Sequence, residues 1–142
     1  METEKLNILI VSDNRGFGKT LYDYFQDRGH EAFWIPDGEL TLASVLRDKA
    51  LREEALKVGG QGPKEYNGLI AELYLRDMTG FALAERVRDI LEHPISAHLF
   101  AREPLDSVKV KLVVEAGCTF HLLPIKATEL DKIIKEMQAS TV

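Results

Sequence analysis

Apolar and polar positions fall in blocks along this chain, and the period changes from block to block. Residues 6–11, LNILIV, form a run that is apolar but for Asn7 and rich in β-formers, which predicts a strand buried on both faces. From Asn14 to about Gly29 the apolar spacing lengthens to three and four, through Phe17, Leu21, Tyr24 and Phe25. That spacing predicts a helix, and Gly29 suits its stop. EAFWI at 31–35 predicts a short second strand, closed by the turn chemistry of Pro36-Asp37-Gly38. A helical pattern follows from about Glu39 to Lys57, through Leu42, Val45, Leu46, Leu51 and Leu56. Glycine and proline within 59–68 then mark a loop.

The same alternation continues to the end. LIAELYL at 69–75 predicts the third strand, and 81–93 a helix through Phe81, Leu83 or Ala84, Val87 and Ile90-Leu91. ISAHLFA at 95–101 predicts the fourth strand, interrupted by Ser96 and His98, and 105–117 a helix ending at Gly117. TFHLL at 119–123 predicts the fifth strand, and 127–138 an amphipathic helix with Leu130, Ile133, Ile134 and Met137 on one face. Strict β–α alternation predicts an α/β fold with a parallel sheet and helices on both faces. Sites in such sheets lie at the carboxyl ends of the strands. Attention therefore falls on Ser12-Asp13, Glu72 to Leu75, Phe100-Ala101 and Leu123-Pro124.

Composition narrows the function classes. The 142 residues suit one domain able to bury its own core. A net charge of −5 and the lack of a Lys/Arg block argue against direct nucleic-acid binding and favour a protein partner, a basic one most easily. The single cysteine, Cys118, leaves neither an internal disulfide nor a CxxC metal pattern. The apolar part of METEKLNILIV is too short for a signal peptide or a membrane span, so a cytoplasmic chain without a membrane role is expected.

One local motif is deceptive. Gly16-Phe17-Gly18-Lys19-Thr20 follows a strand and opens a helix, as a phosphate-binding loop does. The first glycine of such a loop would be Asp13, whose charge repels phosphate and whose Cβ restricts the backbone. Lys19 and Thr20 are therefore expected on a solvated helix face.

Taken together, ILIVSDN, GHEAFWIPDGE, ELYLRDMTGFALAERVR, FARE, EAGC and FHLLP resemble the receiver domain of two-component response regulators, over nearly the whole chain. The resemblance implies a flavodoxin-like, five-stranded sheet of order 2-1-3-4-5 in a single domain over 1–142. Residues 39–67 would be an extended second helix and loop, and 139–142 a short tail. In receivers, an acidic pair after the first strand and an aspartate after the third hold Mg²⁺, and that aspartate accepts a phosphoryl group. A Ser or Thr after the fourth strand and a Lys before the proline after the fifth then hold the phosphate. Hard oxygen ligands suit the ion, and donors with a cation suit the transferred anion.

This chain departs from that pattern at most of those points. Ser12-Asp13 stands for the acidic pair, Glu72 for the acceptor, Arg76 for the proline that follows it, Phe100 for the hydroxyl residue and Leu123 for the lysine. The aromatic switch position is kept as Phe120. The extra methylene of glutamate moves the nucleophile, and an error near ~1 Å already costs roughly 10²-fold in rate. Losing the hydroxyl and the cation removes most support for the transferred group. The expectation is a degenerate receiver, not an enzyme, working as a phosphorylation-independent protein-interaction module in signalling. Two alternatives are a phosphoacceptor receiver using Glu72 and a receiver fold that binds a small molecule in the altered pocket. Asp13, Glu72 and the Tyr74 carbonyl would make a weak or absent Mg²⁺ site, so no cofactor is expected.

Two further features come from spacing. His98 and His121 sit two residues before Phe100 and Leu123, so strand alternation points both to one side, a layer below those positions. Hydrogen-bonded histidines in or beside the core are expected, with a pH-sensitive or ligand-binding pair as the alternative, since two histidines lack a third ligand for a metal. On the fourth helix, Leu105, Val108, Leu112 and Ala116 share a face suited to the core. Val110 and Val114 fall opposite, with Val113 between, and the three suggest a partner surface. In receivers the fourth helix, fifth strand and fifth helix form such a surface, which would allow a homodimer.

Overall fold

In a computed structural model that describes residues 5–140, five strands and five helices alternate: β1 Asn7–Val11, α1 Arg15–Asp27, β2 Glu31–Ile35, α2 Gly38–Lys57 and β3 Gly68–Glu72, then α3 Gly80–Leu91, β4 Ser96–Ala101, α4 Ser107–Glu115, β5 Cys118–Leu122 and α5 Ala127–Ser140. The strands form one parallel sheet in the order β2-β1-β3-β4-β5, as expected for the fold class. Among the described residues no helix is long and apolar enough to cross a membrane.

Strand parity sorts the side chains into two cores. Leu9, Val11, Leu69, Ala71, Ala97 and Leu99 face α2, α3 and α4, where Val45, Leu83, Val87 and Val113 meet them. Ile8, Ile10, Ile70 and Phe100 face α1 and α5, against Leu21, Phe25, Leu130, Ile133 and Met137. Burial of both faces of β1 explains its apolar run from Ile8 to Val11.

Side-chain caps set the helix starts. Asn14, Asp37, Thr79 and Asp106 each accept a hydrogen bond from the backbone N–H three residues on, relieving one orphan donor of the first turn. This is why α4 begins at Ser107, two residues later than its apolar spacing predicts. Gly29 follows α1 with φ +83°, a conformation in which a Cβ would be strained. At the other end of the chain α5 continues through Ser140, so two of the expected tail residues are helical and 141–142 lie outside the described residues.

The expected faces of α4 need correcting. Val113 is 1% exposed and belongs to the core, whereas Val108 and Leu112 are exposed at 67% and 41%. The inward stripe is Leu105, Lys109, Val113 and Ala116, at spacings of four and three. Lys109 occupies an inward position with its ammonium 5.1 Å from the Tyr74 ring centroid, so its alkyl stem completes a stripe that apolar spacing alone misplaces. Val110 and Val114 are exposed, as expected.

Candidate functional site

The carboxyl ends of β1, β3 and β4 and the residues after β5 converge above the sheet. Ser12 follows β1 and is fully buried, its N–H bonded to the Ile35 carbonyl. Its hydroxyl accepts from the Asn14 N–H at 3.0 Å and donates to Glu72 Oε2 at 2.8 Å. Its carbonyl accepts from Trp34 Nε1 at 2.8 Å. Trp34 reaches it across Gly18, where a Cβ would stand 2.2 Å from the indole. That close approach explains the second glycine of the deceptive motif. Lys19 pairs with Asp23 on the exposed face of α1, and Thr20 is exposed.

Glu72 ends β3 half-buried, in register with Phe100 of β4, which in turn is in register with His121 of β5. Burial raises its pKa above the ordinary carboxylate value. The Ser12 hydrogen bond and the Arg102 charge oppose the rise, and the Asp13 charge adds to it. Phe100 is 1% exposed, its ring edge-on to Phe17 at 5.4 Å and stacked on His121 at 4.9 Å. Leu123 is partly buried against the same core. A cavity of about 290 Å³ opens beside them, lined in part by Glu72, Tyr74, Phe100, Arg102, Lys109 and Leu123. Phe120 packs on the opposite face of the sheet, against the α2–α4 core.

The donor set does not fit Mg²⁺ in the manner the resemblance implies. Ser12 supplies a hydroxyl where a carboxylate is needed, and its proton is already directed at Glu72 Oε2. Asp13 is exposed beside the site. Among the described residues no three His, Cys, Asp or Glu side chains form a metal-holding group.

The contacts of three contributors were not read from the sequence. Arg102 shares strand parity with Phe100 and turns its charge toward Glu72 from the end of β4. Its place directly after the fourth strand was the available signal. Arg76, standing where receivers have proline, pairs with Asp37 at 2.6 Å. Asp77 accepts from the N–H groups of Gly38 and Glu39 at 3.0 and 2.8 Å. Together they tie the loop after β3 to the start of α2. Their partners lie 38 and 39 residues away, a distance that local pattern does not bridge.

His98 and His121 meet, His98 Nδ1 lying 2.9 Å from His121 Nε2. His98 Nε2 lies 2.9 Å from Ser96 Oγ and 3.7 Å from Glu136 Oε2. Both histidines share one side of the sheet, but the strand register places His121 level with Phe100 instead of a layer below it. Burial, and secondarily the other ring, pushes His98 down to about 4. Burial also lowers His121, against the pull of Glu129 and Glu136.

No family model matches the chain. In sequence it is similar to the transcriptional regulatory protein RprY of Bacteroides fragilis (strain YCH46), 29% identical over 85 residues. Those residues are 60% of this chain and 29% of that protein, so the match spans less than a third of the relative's length. In structure it is similar to a two-component response regulator from Clostridium difficile, with a TM-score of 0.75 at 12% identity, covering 96% of this chain and 98% of that one. A CheY-like receiver domain protein from Methanospirillum hungatei JF-1 gives 0.75 at 18% identity, covering 96% and 95%. The receiver domain of the histidine kinase CKI1 from Arabidopsis thaliana, complexed with Mg²⁺, gives 0.77 at 18%, covering 96% and 94%. At these identities the likeness is one of architecture: the chain has the fold of response-regulator receiver domains.

Proposed function

We propose that this chain is a receiver-type signalling domain that acts as a protein-interaction module and does not signal through phosphorylation of its strand-tip carboxylate. The observation that carries this reading is the closed arrangement of Ser12, Glu72 and Phe100. Glu72 is engaged by the Ser12 hydroxyl, and Phe100 occupies the hydroxyl residue's place as a buried ring stacked on His121. With Leu123 in the lysine's place, the nucleophile lacks both a hydroxyl donor and an ammonium from those two positions. An interaction role is supported by α4, which exposes Val108, Val110, Leu112 and Val114, and by exposed Leu122 on β5. The partner is a protein or a second copy of the chain.

Incubation with Mg²⁺ and acetyl phosphate, followed by intact-mass measurement, tests the reading. No phosphoryl adduct is expected. A stoichiometric, acid-labile adduct mapping to Glu72 refutes it and establishes a non-standard acceptor. A second reading rests on the cavity of about 290 Å³ beside Glu72, with Arg102 and Lys109 in its lining: the domain senses a small molecule. Ligand-dependent melting shifts across a metabolite panel, abolished by filling the cavity, would favour it.

A further inference from the structure

A polar column lies on the α1–α5 side of the sheet, running along β4 and then across to the edge strand β5. It runs from Ser96 Oγ to His98 Nε2, and from His98 Nδ1 to His121 Nε2, each step 2.9 Å. Its far end rests on Phe100, which His121 stacks against beside Glu72. His98 is 1% exposed, and His121 lies on the edge strand β5, half-buried. The charged groups that act on the pair come from α5, as Glu129 and Glu136. β3 presents Ile70 in register with His98 and Glu72 in register with Phe100, while Phe17, on α1, meets the Phe100 ring.

The column has a definite proton capacity. Between two neutral rings one N–H bridges the 2.9 Å gap, in either direction. If His121 gains a proton, both its nitrogens donate, so His98 Nδ1 must accept. The His98 proton then resides on Nε2, facing Ser96 Oγ and the Glu136 carboxylate 3.7 Å away. A second proton would set N–H against N–H across the same gap and break the column.

We propose that His98 and His121 form a one-proton latch between the sheet and α5. A proton taken up by His121 fixes the direction of the column and draws the Glu129 and Glu136 carboxylates of α5 toward it. This deepens the interaction reading and rests on it, because His121 lies on β5, the strand that presents Leu122 to the surface proposed for the partner. The latch makes that surface respond to mild acid.

Histidine-labelled full-length chain, followed by NMR from about pH 8 to about pH 4.5, tests the latch. The expected result is a single-proton step at His121 below the ordinary histidine midpoint. In the same step His98 gains no proton and holds its own on Nε2, and α5 backbone amides around Glu129 and Glu136 shift with the same midpoint. The double substitution Glu129→Gln and Glu136→Gln should suppress the α5 response and lower the His121 midpoint by roughly half a pH unit. A His121 step that leaves the α5 amides unmoved overturns the proposal. So does the absence of any His121 step above about pH 4.5. The wild-type titration decides on its own should a variant fail to fold. Acetyl phosphate does not act through these rings, so failure of the latch and failure of the phosphorylation-independent reading are read in separate experiments.

Discussion

Burial of His98 makes the stability of this domain depend on pH, whatever its partner. The unfolded chain binds a proton at an ordinary histidine near 6.5, whereas the folded chain holds His98 neutral down to about 4. Between those values the unfolded state carries more protons, so stability falls as pH falls. The slope reaches about 1.4 kcal/mol per pH unit, and the whole window is worth about 3 kcal/mol. His98 is 1% exposed, so solvent screening does not reduce that figure much. His121, also lowered, adds in the same direction. Glu72 acts oppositely, because its folded pKa lies above its unfolded one and acid favours its folded form in the window just above 4.5.

Comparison with a His98→Gln variant removes the His98 contribution, while Glu72 and the distant groups contribute equally to both proteins and His121, in contact with His98, is coupled to it. Urea unfolding followed by the fluorescence of Trp34, the only tryptophan, gives stability at each pH. The variant will be less stable near neutrality, having lost a fitted imidazole. Its decline from about pH 6.5 to about pH 4 should be shallower than the wild type's by about 3 kcal/mol in total. Parallel curves would mean that His98 titrates alike in both states, and the burial argument would fail.

Two substitutions test the packing that holds the site. Gly18→Ala should destabilise by about 1–2 kcal/mol net in urea unfolding, because the clash with Trp34 and loss of its bond to Ser12 outweigh a helix-propensity gain near ~1 kcal/mol. Val113→Ala should cost about 2 kcal/mol, whereas Val114→Ala, one residue on and 66% exposed, should stay within about 0.5 kcal/mol.

Periodicity carried the fold because each element's burial pattern is written in its own residues. β1 is apolar on both faces since both faces are covered, and α1, α3 and α5 show their inward stripes plainly. α4 defeated the same reasoning because a lysine stem fills one of its inward positions, and a period read from apolar residues alone rotates away from it. At the site, strand parity brought Glu72, Phe100 and the two histidines to one side. It could not supply the one-step stagger between β4 and β5, which is set by ladder hydrogen bonds. Nor could it supply Arg76 with Asp37, or Trp34 with Ser12, where the chain closes long loops between partners.

The residues at the strand ends are physically coupled. A carboxylate in place of Ser12 would confront Glu72 at the present 2.8 Å contact, with two like charges and no proton between them. Phe100, for its part, fills volume between Phe17 and His121, so a threonine there would open a cavity in the α1–α5 core and unstack the imidazole. Without that stacking His121 loses one wall of the position from which it meets His98. Ser12 with Glu72, and Phe100 with the histidine column, are therefore two linked pairs sharing the register row Glu72–Phe100–His121. Introducing one receiver-type residue at a time would damage packing before it built phosphoryl chemistry. Residues at the positions that hold a phosphoryl group in receiver domains are here committed to one another.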